Sequence, residues 1–210
     1  MSNKKSIDYK LYLVTDRNVL RNRDLIQSVE AAIQGGATIV QLREKNCSSL
    51  DFYNLAVKLK EVTSKYDVPL IINDRLDIAL AVKADGLHIG QEDLPLTVVK
   101  EIVGDDMIIG VSTNTLEEAL LAEKQGADYV GIGAVYPTDT KLDADYVTLD
   151  DLRLIRKAIS IPIVGIGGIN EENVVNIMGT DIDGVAIVSA ILGKQDIKHA
   201  TKEMLQKMNK

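Results

Sequence analysis

Short apolar runs recur along the chain, each ending in a tight group of polar or glycine residues. Thr38-Ile39-Val40 leads into Gln41-Leu42-Arg43-Glu44-Lys45, and Pro69-Leu70-Ile71-Ile72 into Asn73-Asp74-Arg75. Gly86-Leu87-His88-Ile89-Gly90 leads into Gln91-Glu92-Asp93, and the run from Tyr129 into Pro137-Thr138-Asp139-Thr140-Lys141. Ile161-Pro162-Ile163-Val164 leads into Gly165-Ile166-Gly167-Gly168, and the run from Gly184 to Val188 into Ser189. With two further runs, this pattern predicts eight strands, over 10–16, 38–43, 69–73, 86–89, 107–112, 129–135, 162–165 and 184–189. Helical periodicity fills the gaps, most clearly over 24–34, 49–65, 116–124, 149–158 and 197–208. Buried parallel strands with chemistry at their C-terminal ends predict an α/β chain, a single (β/α)8 TIM barrel over residues 1–210. Such a barrel builds its active site from the loops that follow the strands, so the polar groups should converge on one mouth.

A weak internal repeat supports closure. Gly35-Gly36-Ala37-Thr38-Ile39-Val40 resembles the segments beginning at Lys83, Gly126 and Asp181, each a polar or glycine turn followed directly by a strand. The four copies precede strands two, four, six and eight, as expected if two βα units form the repeating element. The alternative, an open doubly wound sheet, needs an edge strand and a switch point that eight evenly spaced runs do not provide. Asp24, Ser49, Thr115 and Asn170 are placed to cap helix starts.

Composition narrows the setting. The chain has 210 residues, 46% of them hydrophobic, with one Phe and no Trp, so its core must be mainly aliphatic. A net charge of −7 argues against a nucleic-acid surface, which depends on excess Lys and Arg. It does not exclude small phosphorylated ligands, which a few local cations can hold. Cys47 is the only cysteine, which rules out an internal disulfide and suggests a reducing cytoplasm. Residues 1–6 lack the apolar core of a signal peptide, and no apolar run approaches membrane-spanning length. A soluble, cytoplasmic chain without a membrane partner is expected, with a homo-oligomer left open.

The clusters suggest anion chemistry. Gly165–Gly168 after strand seven and Val188-Ser189 after strand eight match the position of the usual barrel phosphate site, where backbone N–H groups meet the ligand. The Pro137–Lys141 turn offers two hydroxyls and a cation, although a solvated loop would look similar. Asp74 and Asp93 end adjacent strands, and two such carboxylates suit Mg²⁺, which completes its shell with water and substrate phosphate. The competing reading is that Asp93 caps the next helix. Gln41, Arg43 and Lys45 share one face of strand two and favour a polyanion, or else form an ion pair with Glu44 or a neighbouring carboxylate. His88 reads as a satisfied core residue and His199 as a surface residue of the last helix. No Cys–His or Ser–His–Asp pattern points to nucleophilic catalysis.

Taken in order, Gln41–Lys45, Asn73-Asp74-Arg75, His88–Asp93, Gly110-Val111-Ser112, Pro137–Lys141 and Gly165–Gly168 resemble the thiamine phosphate synthase family over nearly the whole chain. The resemblance implies a transferase joining hydroxymethylpyrimidine diphosphate to hydroxyethylthiazole phosphate, with diphosphate released by dissociative substitution. It implies one Mg²⁺ per active site on Asp74 and Asp93. It assigns Gln41, Arg43, Glu44, Lys45, Asn73, Ser112 and Lys141 to the pyrimidine diphosphate, with Lys141, Arg43 and Ser112 as catalytic groups. Thr138, Thr140, Gly168, Val188 and Ser189 fall to the thiazole phosphate. Two positions depart from the family pattern: Asn114, where many relatives carry His, and Ala134, where proline is frequent. A thiazole tautomerase sharing the barrel would not need Arg43, Lys45, Asp74, Asp93 and Lys141. A non-catalytic thiamine phosphate-binding barrel would show no Mg²⁺-dependent turnover.

Overall fold

The computed structural model of the chain describes residues 7–138 and 146–209. In chain order the elements are β1 (Leu11–Val14), α1 (Arg17–Leu20), α2 (Leu25–Gly35), β2 (Ile39–Leu42), α3 (Ser49–Lys65), β3 (Leu70–Asn73), α4 (Leu76–Ala81), β4 (Gly86–Ile89) and α5 (Leu96–Val103). They continue as β5 (Ile108–Thr113), α6 (Leu116–Lys124), β6 (Tyr129–Ile132), α7 (Leu149–Ala158), β7 (Ile163–Ile166), α8 (Val174–Met178), β8 (Gly184–Ile187), α9 (Ser189–Leu192) and α10 (Ile197–Met208). Every strand pairs in parallel with the next, and β8 pairs with β1, which closes the barrel. The open doubly wound alternative is excluded.

Alternation along the strands separates two cores. Outward residues such as Leu11, Val40, Leu70, Leu87 and Val130 pack under the helices in the main aliphatic cluster. Inward residues, among them Tyr12, Ile39, Ile71, Ile108, Tyr129 and Val164, fill the barrel itself. Leu87 is fully buried beneath the helices, so its truncation to Ala should cost about 2–5 kcal/mol.

The repeat has a physical counterpart at the bottom of the barrel. Each copy closes its preceding helix with a left-handed residue: Gly36 (φ 111°), Lys83 (φ 52°), Gly126 (φ 87°) and Asp181 (φ 61°). Two residues later a side-chain oxygen accepts the first free amide of the preceding strand. Thr38 Oγ1 accepts from Leu11 N (3.0 Å), and Asp85, Asp128 and Asp183 accept from Leu70, Ile109 and Ile163 N at 2.8 Å each. The repeat therefore fixes strand register on the face opposite the polar clusters.

The bounds expected for α3, α6, α7, α10 and β4 match the structure. Strand six ends at Ile132 rather than 135, and beyond it Val135 N and Tyr136 N donate to Ile166 O (3.0 Å) and Gly167 O (3.1 Å) at the end of β7. Asp24 and Thr115 cap α2 and α6 as expected. Ser49 does not cap α3; Ser48 does, its hydroxyl accepting from Asp51 N. Asn170 does not cap α8, which starts after Asn173; its side chain instead accepts from Glu172 N in the preceding turn. Among the described residues no helix is long and apolar enough to cross a membrane.

Candidate active site

A cavity of about 510 Å³ opens at the C-terminal end of the strands. Gln41, Arg43, Lys45, Asn73, Asp74, Asp93, Ser112, Thr138, Gly168, Val188 and Ser189 all line it, as expected for strand ends and the loops that follow them. Thr140 and Lys141 lie outside the described residues. Glu44 departs from expectation. It faces away from the cavity and pairs with Arg17 at 2.8 Å, since residues 41, 43 and 45 point inward and 44 must point outward. Burial pushes its carboxyl above the ordinary value, with Arg17 opposing the shift.

One wall of the mouth, from β2 to β4, is charged. Lys45 Nζ lies 2.6 Å from Asp74 Oδ2, so the ion pair with a neighbouring carboxylate does form, with Asp74 as partner. Asp74 sits at φ 63°, in the left-handed region that non-glycine residues adopt at some strain, and its amide donates to His88 O at 2.9 Å. Arg75 turns outward instead, bonding Asp77 and Ser49. Asp93 caps no helix: its Oδ2 accepts from Gly90 N at 2.7 Å, and α5 begins after Pro95. Burial raises the Asp93 carboxyl above its usual value, and the adjacent Asp74 carboxylate raises it further against the Gly90 hydrogen bond. Two facing carboxylates that repel one another are the donor set a hard dication relieves. Mg²⁺, which takes one or two protein carboxylates and fills its shell with water and phosphate, fits them. No cluster of three or more His, Cys, Asp or Glu side chains able to hold a metal occurs among the described residues.

The opposite wall, after β7 and β8, is built from backbone. Gly167 (φ 97°) and Gly168 (φ 62°) take conformations that side-chain-bearing residues rarely adopt. A Cβ on Gly168 would stand 2.4 Å from Pro137 O and 2.7 Å from Tyr136 O. The glycine thus lets the β7 loop pack against the β6 loop, a reason additional to any access it gives a phosphate. Val188 leads from β8 into the short helix α9, which begins at Ser189.

Below these walls runs a chain of buried hydrogen bonds absent from the sequence reading. Gln41 Nε2 donates to Tyr12 Oη (2.9 Å), and Tyr12 Oη and Tyr129 Oη are 2.8 Å apart. Tyr129 Oη lies 2.9 Å from His88 Nδ1, and His88 Nε2 lies 2.9 Å from Ser112 Oγ. Inward glycines make the room: a Cβ on Gly110 would fall 2.1 Å from the Tyr129 ring, and one on Gly131 would fall 3.1 Å from His88. His88 is a satisfied core residue, as expected, and it also lines the cavity. A lone polar tip in each of three apolar strands was the available signal. What joins Tyr12 to Tyr129 is barrel closure across 117 residues, which sequence spacing does not reveal. Asn114 also lines the mouth, and with its amide nitrogen turned inward it donates to Gly133 O at 2.8 Å.

The sequence pattern of thiamine monophosphate synthases matches residues 11–191. The chain belongs to that family. It is 62% identical to a thiamine-phosphate synthase of Alkaliphilus oremlandii over 199 residues, 95% of each protein. It is 56% identical to that of Clostridium tetani, over 95% of this chain and 96% of the relative. A solved thiamine phosphate pyrophosphorylase from Pyrococcus furiosus superposes with a TM-score of 0.90 at 43% identity, covering 96% of both chains. An N-acetylmannosamine-6-phosphate 2-epimerase from Clostridium perfringens, at 19% identity and a TM-score of 0.65, shares the fold alone. As a thiamine monophosphate synthase family member the chain is a transferase. Its 181-residue match runs from the first strand to α9 and so includes both walls of the mouth.

Proposed function

We propose that the chain joins hydroxymethylpyrimidine diphosphate to hydroxyethylthiazole phosphate, releasing diphosphate by Mg²⁺-assisted dissociative substitution. The observation that carries this reading is the division of one cavity between a charged wall and a backbone wall. Arg43, Lys45, Asp74 and Asp93 line one side of the cavity, where the diphosphate would sit, and Gly168, Val188 and Ser189 line the other, where the phosphate that stays on its substrate would sit.

In the reaction the bond between the pyrimidine methylene carbon and a diphosphate oxygen breaks, and its electron pair leaves with the diphosphate. The thiazole nitrogen lone pair then forms the new C–N bond. Arg43 and Lys45, joined by Lys141 from the β6 loop, stabilise the charge that builds on the leaving oxygens. Asn73, Gln41 and Ser112 orient the pyrimidine ring. Thr138 and Thr140 help position the thiazole phosphate, and the closed barrel floor keeps water from the cation. Asp74 and Asp93 would hold the dication, which neutralises the departing diphosphate. Glu44 has no part in this scheme, because it faces Arg17 outside the cavity.

The test is purified protein with both substrates and Mg²⁺, with thiamine phosphate measured against an EDTA control. Metal-dependent product formation is expected. Thiazole isomerisation without product would favour the tautomerase reading, and binding without turnover the non-catalytic one.

A further inference from the structure

The buried chain of hydrogen bonds has a direction. Gln41 gives its amide N–H to Tyr12 Oη, so the single Tyr12 proton passes on to Tyr129. The 2.9 Å contact between Tyr129 Oη and His88 Nδ1 suits either atom as donor, and the direction set by Gln41 makes Tyr129 the donor. A neutral imidazole that accepts at Nδ1 carries its proton on Nε2, which donates to Ser112 Oγ. Burial raises both phenols well above their ordinary values, so each stays protonated and keeps its one donor. Two consequences appear at the cavity surface. Gln41, its nitrogen engaged below, offers a ligand its carbonyl oxygen; Ser112, its oxygen engaged by His88, offers its O–H.

We propose that Tyr12, Tyr129 and His88 form a positioning relay that fixes an acceptor at Gln41 and a donor at Ser112, and thereby selects the hydrogen-bond pattern of the ring that binds between them. The complementary ligand is a heteroaromatic ring with an exocyclic amino donor and a ring-nitrogen acceptor. Its oxo counterpart presents the reverse pattern. To accept that counterpart, the Gln41 amide and the Ser112 hydroxyl would have to reverse, and with them every link between. A site whose buried polar groups are left unpaired rejects a ligand far more strongly than one that merely loses apolar contact. The choice of a pyrimidine diphosphate as probe rests on the proposed function; the relay itself does not.

Two measurements test it. The chain has two histidines, so ¹⁵N NMR with a His199→Gln variant for assignment reads the His88 tautomer directly. Expected is a protonated Nε2 and a bare Nδ1, with this preference lost in Tyr129→Phe. A proton on Nδ1 in the parent would overturn the relay, whatever reaction the protein catalyses. The second measurement is kcat/KM for the aminopyrimidine diphosphate and for its oxo analogue. Tyr129→Phe should reduce the discrimination between them roughly tenfold or more. Tyr9→Phe should leave it unchanged, because that ring packs 5.0 Å from Tyr129 yet is not one of the five linked groups. Unaltered discrimination in Tyr129→Phe would also overturn the relay. If Tyr129→Phe does not fold, the parent tautomer alone decides. No product from the parent with either diphosphate would instead remove the proposed reaction, with the tautomer result still standing.

Discussion

The two walls of the barrel mouth handle negative charge by different means. After β2, β3 and β4 the chain spends side chains: Arg43 and Lys45 against Asp74 and Asp93, with one ion pair at 2.6 Å and two carboxylates in mutual repulsion. After β7 and β8 it spends backbone: two left-handed glycines and a serine at the start of a one-turn helix, with no charged side chain contributed to the cavity. Charge-bearing groups gain strength as charge develops on a leaving group. A phosphate that stays on its substrate keeps its charge, so the groups that hold it are engaged equally before and during reaction. Under the proposed function the departing diphosphate falls to the first wall and the retained phosphate to the second.

The largest effect should come from the charged wall. Asp74→Ala and Asp93→Ala should each lower the rate of thiamine phosphate formation about a thousandfold or more, the scale of losing metal-assisted charge neutralisation. Steady-state assays with saturating Mg²⁺ check this, and near-parental turnover in both would dissolve the contrast between the walls.

Next comes Lys141, in the segment that follows β6. Lys141→Ala should reduce kcat roughly a hundredfold while the dissociation constant for the pyrimidine diphosphate moves much less. Lys141→Arg should rescue only in part, since a planar fork does not replace a compact ammonium. Single-turnover kinetics beside equilibrium binding separate the two parameters. A variant that bound poorly yet turned over normally would make Lys141 an affinity residue.

On the backbone wall, Gly168→Val should raise KM for the thiazole phosphate about tenfold and leave diphosphate binding nearly intact. The same change should lower the melting temperature by several degrees, because its Cβ meets Pro137 O and the residue must hold φ 62°. Calorimetry with each ligand separates the two effects.

How much of this was legible follows from what each signal depends on. Strand-end clusters and 3.6-residue periodicity are local, so β4 and four of the helices emerged with their bounds intact. Gln41, Arg43 and Lys45 were readable from alternation. The same alternation turns Glu44 outward, whereas family likeness had placed it inside. Ser48 against Ser49 turns on which hydroxyl reaches the Asp51 amide, a matter of one residue of backbone geometry. The Tyr12–Tyr129–His88 chain was illegible, because its members meet only when the barrel closes and inward glycines clear the space.

The smallest expected effect sharpens the electrostatics of the charged wall. The Asp93 carboxyl is raised in the folded protein, mainly by burial, so its ionised form is unfavourable there. Folded protein then binds more protons at this site than unfolded protein, and the penalty is present above the raised value. It fades as pH falls through that value toward the ordinary carboxylate range. Asp93→Asn should therefore melt slightly higher than the parent at neutral pH without metal, with the gain shrinking on acidification. Thermal melts across pH test this, and a gain that grew toward acid would reverse the sign of the assignment.

The division of the mouth is tested most directly by calorimetric binding of each ligand separately, with Mg²⁺ and with EDTA. The account predicts that pyrimidine diphosphate binding weakens sharply when Mg²⁺ is removed or when Asp74 and Asp93 are both alanine. Thiazole phosphate binding should respond to neither change. Diphosphate affinity indifferent to Mg²⁺ and to both aspartates, or thiazole phosphate affinity dependent on them, would contradict it.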